Sequence, residues 1–113
     1  MARIDKVVEK IEKLGKKQNL SALVKMIDDQ DEEVRAAVAH AMGMISTYDA
    51  GMQLIPLLRD VSAAVRAAAA ESVGNIQAKH CEEYVRKLAF ADSDPVVRQI
   101  SRDALDKIRT RVI

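Results

Sequence analysis

Apolar residues along this chain return with helical spacing, and the same spacing then returns with a longer period. In the segment 31–45, Val34, Ala37, Val38, Ala41, Met42 and Ile45 fall on one side of a helix. The pattern repeats further on: Met42, Val73 and Leu105 correspond, as do Ile45, Ile76 and Ile108. Val7, Ile11 and Leu14 fit the same register without a gap, 31 residues before Val38, Met42 and Ile45. No segment alternates with a period of two, so every element is expected to be a helix. Shorter helices are expected before each long one, at roughly 18–28, 49–59 and 80–91. Asp31, Ser62 and Asp94 stand where a side-chain oxygen caps a helix start, with Pro95 suited to a first helical position. Pro56 lies inside the middle short helix and is expected to kink it, because it removes a backbone donor.

The polar positions keep the same period. Val34-Arg35, Val65-Arg66 and Val97-Arg98 are spaced by 31 and then 32 residues, and Asp29, Asp60 and Asp92 each precede an Arg by six. A fixed period of this length marks stacked supersecondary units, which work through an extended surface. The chain reads as a half repeat (1–17) and three whole ones (18–48, 49–79 and 80–113), with one extra residue in the third between Val85 and Asp92. All of it, 1–113, is expected to form one domain.

The stretches Leu58-Arg59-Asp60-Val61-Ser62-Ala63-Ala64-Val65-Arg66 and Ala91-Asp92-Ser93-Asp94-Pro95-Val96-Val97-Arg98 resemble HEAT repeats. Their length is most similar to the short HEAT-like type named after phycobilisome lyases. The Trp-Leu-Gly and Thr-Pro-Leu-His signatures of tetratricopeptide and ankyrin repeats are absent. The resemblance implies an all-α superhelix, a HEAT-like solenoid of about seven helices in three and a half repeats. It also implies a structural ladder of hydrogen-bonded Asp and Arg along the stack, carried by Asp29, Asp60, Asp92 and Arg35, Arg66, Arg98. Ile4 occupies the Arg slot of the half repeat, so the ladder is expected to start at Arg35.

Composition sharpens the packing. There are two Tyr, one Phe and no Trp, while six of the eight residues from 63 to 70 are Ala. Small residues allow close approach, so this helix is expected to sit between neighbours on both flanks. Arg102 and Asp106 replace Ala39/Gly43 and Ala70/Gly74 in the last repeat. The first helix is also heavily charged. Both ends therefore read as caps of a complete small solenoid. The charged start holds no signal-like apolar run, and no stretch is long enough to span a membrane. With one Cys, a reducing cytoplasm is the expected setting.

Candidate chemistry is sparse. Asp28, Asp29, Asp31, Glu32 and Glu33 suit the positive end of a helix better than a calcium loop, whose Gly and final Glu positions hold Val34 and His40. His80-Cys81 lacks a second thiol or a helically spaced His, and no phosphate loop or nucleophile elbow occurs. No metal, cofactor or catalytic residue is expected, so the chain is not expected to be an enzyme. Residues 1–17 carry six basic and three acidic side chains, 18–50 two and six, and 51–113 ten and eight. The lysines of the first segment alternate with acids, as in Glu9–Lys13 and Glu12–Lys16, which is the pattern of a solvated helix. Nucleic acid is therefore a disfavoured partner.

A protein partner is the favoured one. The resemblance implies that the second helix of each repeat lines the concave face. Opposite the buried stripe, positions i, i+4, i+8 form the columns Asp5/Glu9/Lys13, Ala36/His40/Met44, Ala67/Glu71/Asn75 and Gln99/Asp103/Lys107. His40, Met44, Glu71, Asn75 and Asp103 are the expected contact residues, with an apolar middle (Ala36, Met44, Ala67) inside a polar rim. Flank packing between repeats is the competing reading of Ala36 and Ala67. The expected function is a protein-interaction scaffold or adaptor. The alternatives are an accessory of bilin or phycobiliprotein metabolism, which rests on the repeat type alone, and a weak nucleic-acid binder. Val112 and Ile113 could pack into a second copy, leaving monomer and weak homodimer both open.

Overall fold

The computed structural model describes residues 3–111. Among the described residues seven α-helices follow in order: α1 (Arg3–Lys16), α2 (Leu20–Val24), α3 (Glu32–Met42), α4 (Tyr48–Leu54), α5 (Ala63–Asn75), α6 (Glu82–Ala91) and α7 (Pro95–Arg109). Two short 3-10 segments, Pro56–Arg59 and Lys79–Cys81, adjoin α4 and α6. No strand occurs among the described residues. Val112 and Ile113 lie outside them, and with them the question of self-association left open for that terminus.

Side-chain caps start five of the helices. Asp31, Ser62 and Asp94 accept from the amides of Glu33, Val65 and Val96, and Pro95 takes the first position of α7. Asn19 and Thr47 cap α2 and α4 in the same way. The helix α1 ends on Gln18 with φ of 56°, which lets the Asn19 amide reach back to Leu14 O at 2.9 Å. The end of α5 is built alike, with Gln77 at φ of 51° and Ala78 N bonded to Val73 O at 3.1 Å.

The short helices differ from their expected extents. In the first repeat α2 is only five residues long. The chain then tightens, Met26 N and Ile27 N bonding three residues back to Leu23 O and Val24 O. In the second, Pro56 does more than kink the helix: the α-helix stops at Leu54 and the chain resumes as 3-10. The third repeat has no proline there, and α6 runs unbroken to Ala91. This accounts for its extra residue. Four 3-10 residues rise about 8 Å and five α-helical residues about 7.5 Å, so the two spans match.

Helices α1, α3, α5 and α7 lie side by side in one layer, each touching the next, while α2, α4 and α6 back them. The core between the layers is Leu23, Leu54, Leu58 and Val85 from one side and Val34, Val38, Met42, Val65, Val73, Val97 and Ile108 from the other. Burying each such side chain contributes about 1.5–3 kcal/mol, so stability is spread along the stack without a dominant residue. The Ala-rich α5 packs between α3 and α7. Small residues set those spacings: a Cβ on Gly43 would lie 2.9 Å from Ser72 Cβ, and one on Gly74 2.9 Å from both Ala104 Cα and Cβ.

Candidate interaction surface

Each long helix buries one side and turns another to solvent. On α3, His40 is exposed and Met44, just beyond the helix end, is half-buried; on α5, Glu71 and Asn75 are exposed; on α7, Asp103 is exposed. Ala36 and Ala67, one or two turns earlier, are half-buried. Glu71 and Asp103 meet across a small groove of about 80 Å³ between α5 and α7, completed by Ile100, Ala104 and Lys107. Lys107 Nζ donates to Asn75 Oδ1 at 2.9 Å, and Asp103 Oδ1 accepts from Gln99 Nε2 at 3.1 Å. Met44 is shared: a Cβ on Gly15 would lie 2.9 Å from its sulfur, so part of its side chain fills the α1–α3 seam. His40 lines none of this groove.

Ile100 was not among the residues expected here. Its i+3 relation to Asp103 on α7 was the available signal. Two inter-repeat bonds were also not anticipated: Ser72 Oγ donates to Ala39 O at 2.7 Å, and Gln77 Nε2 to Lys107 O at 2.9 Å. Nothing in either residue type announces a partner some thirty positions away.

On the edge where the two layers join, the arginines link successive repeats. Arg35 Nη1 donates to Asp29 O at 2.8 Å within its own repeat, while its Nε and Nη2 donate to both carboxylate oxygens of Asp60 at 2.8 and 3.0 Å. Arg66 does the same, with Nη1 on Asp60 O at 2.8 Å and the outer edge on Asp92 at 2.7 and 3.0 Å. Each guanidinium thus fixes its own loop and clamps the next, a bidentate geometry suited to Arg. Burial alone would raise the carboxyls of Asp60 and Asp92. The Arg hydrogen bonds, the amides of Ser62 and Asp94 and the nearby guanidinium charges outweigh it, so both stay below the usual carboxylate range. At the ends the pattern is incomplete. The Asp29 carboxylate accepts from Asp31 N at 2.9 Å, and Arg98 reaches Asp92 O at 2.7 Å with no carboxylate beyond it among the described residues.

Several of the remaining chemical candidates make structural contacts. Asp31 caps α3, and Glu32 accepts from Ser62 Oγ at 2.9 Å. Among the described residues no three carboxylates, His or Cys converge to hold a metal. His80 stacks on Tyr48 with ring centroids 4.1 Å apart, and its Nε2 donates to Tyr48 O at 3.2 Å. Cys81 is buried, donates to Gly51 O at 3.3 Å, and burial pushes its thiol up to about 11, leaving it protonated at neutral pH.

Among the described residues no helix is long and apolar enough to cross a membrane. No individual curated protein matches the chain significantly. The family model of HEAT repeats matches residues 5–60 and again 51–112. Nearly the whole length is thus covered by two overlapping matches, and the chain belongs to the HEAT-repeat family.

Proposed function

We propose that this protein is a non-catalytic interaction scaffold whose protein partner lies across the solvent side of α3, α5 and α7. HEAT repeats generally mediate contacts between proteins. One observation carries the placement: Glu71, Asn75 and Asp103 are exposed on adjacent helices beside half-buried Ala67 and Ile100, a less polar centre within a polar rim. His40 and Met44 extend the surface toward α1, with Met44 offering an adaptable contact on its free side. A cytoplasmic setting belongs to the same proposal and rests on the single unpaired Cys81.

The test is a capture experiment with wild type and the Glu71→Lys, Asp103→Lys double variant, both residues being exposed. A defined protein retained by wild type and lost by the folded variant supports the placement. Equal retention by both would move the site elsewhere, and only nuclease-sensitive material would replace the proposal with nucleic-acid binding.

A further inference from the structure

The last repeat ends in an open groove of about 420 Å³ between α6 and α7, lined by Arg86, Ala89, Phe90, Arg98, Arg102, Leu105 and Arg109. Among the described residues its charged lining is four arginines and no carboxylate. Arg86 is held from the side by Glu82 at 2.8 Å and by Glu83, and Arg109 lies 3.9 Å from Glu82. Arg98 and Arg102 form no ion pair among the described residues; Arg102 donates only to Gln99 Oε1 at 2.9 Å. Phe90 is 84% exposed at the rim, with Ala89 and Leu105 buried beneath.

The chain itself displays what such a groove holds. Arg35 and Arg66 use Nη1 on their own loop carbonyl and present Nε and Nη2 to an Asp carboxylate of the following repeat. Arg98 has the same inner bond, to Asp92 O. Its Nε and Nη2, which in the two earlier arginines hold a carboxylate, make no hydrogen bond among the described residues. We propose that this end groove is a second docking surface, separate from the α3–α5–α7 face, for an acidic peptide segment of a protein partner. An Asp or Glu side chain meets the outer edge of Arg98, a neighbouring acidic residue meets Arg102, and an adjacent apolar side chain covers Phe90 and Leu105. Charge complementarity selects the acid, and bidentate geometry selects a carboxylate over a neutral amide.

The test uses two synthetic peptides, acetyl-Gly-Leu-Asp-Glu-Leu-Gly-amide and its Asn/Gln counterpart, titrated into the full chain and followed by NMR. The acidic peptide is expected to shift the Arg98 and Arg102 Nε–H and Phe90 ring signals, more weakly as salt rises. The neutral peptide is expected to bind about tenfold or more weaker. Arg98→Gln should weaken the acidic peptide similarly, and Arg102→Glu, a fully surface change, guards against a folding artefact. No shifts with the acidic peptide, equal affinity for the neutral one, or affinity untouched by both variants would overturn the proposal. So would self-association that Arg102→Glu disperses, since a second copy would then be the occupant.

Discussion

Ser101 shows how finely the stack is tuned at single positions. Its equivalents in the earlier repeats are Val38 and Ala69, all three fully buried, and its hydroxyl has no hydrogen-bond partner among the described residues. An unsatisfied buried hydroxyl costs about 1–3 kcal/mol, so Ser101→Ala is expected to raise the melting temperature. Denaturant unfolding that showed Ser101→Ala to be destabilised would mean that the hydroxyl is bonded. The apolar stripe of each long helix was legible residue by residue, because burial follows the 3.6-residue period. Individual polar contacts were not: Ser72 and Gln77 find partners in another repeat, and that depends on the rotation between repeats. Met44 likewise read as a free surface contact, whereas its sulfur sits over Gly15, a neighbour supplied by the tertiary fold.

Between elements, close approach decides what is tolerated. Gly74 faces the backbone of Ala104, so a methyl there cannot be accommodated by a rotamer change. Gly74→Ala is expected to destabilise by about 1–3 kcal/mol, despite the better helix propensity of Ala, by forcing α5 and α7 apart. A thermal melt of the variant checks this, and an unchanged or higher midpoint would contradict it. Element number and type were legible from periodicity and capping residues. The extents of the short helices were not. Hydrophobic spacing does not separate a short α-helix followed by tight turns, as in repeat 1, from a continuous one. Pro56 signalled a disturbance at the right residue, but its outcome, a switch to 3-10, depends on how the segment Pro56–Arg59 packs against α5 and α6.

Across the whole molecule, the arginine clamps tie one repeat to the next. The Arg66 and Asp92 side chains are 15% and 5% exposed, close to a buried pair. Removing one partner of a fully buried pair costs about 3–5 kcal/mol; Arg66→Ala should approach that, reduced by the residual exposure. Because the folded carboxyls of Asp60 and Asp92 titrate below their unfolded values, their contribution is fully present above about pH 4. It is lost as pH falls through the depressed folded values. Asp92→Asn should therefore be less stable than wild type at pH 7 and show a shallower acid decline, as read from urea midpoints between pH 7 and 2. The 31–32-residue period made the stack legible from sequence, and the resemblance to HEAT repeats implied an Asp–Arg ladder, of which Arg35–Asp60 and Arg66–Asp92 pair while Asp29 and Arg98 do not among the described residues. The face proposed for a partner rests only on columns of outward positions, since partner chemistry leaves no mark on a repeat whose recurrent residues are structural.

The central claim is that the partner covers the layer of long helices. Hydrogen–deuterium exchange of the captured complex tests it most directly. The expected result is added protection in α3, α5 and α7, strongest around Glu71–Asn75 and Gln99–Asp103, with α2 and α4 unchanged. Protection confined to α2, α4 and α6, with none on the long helices, would contradict it.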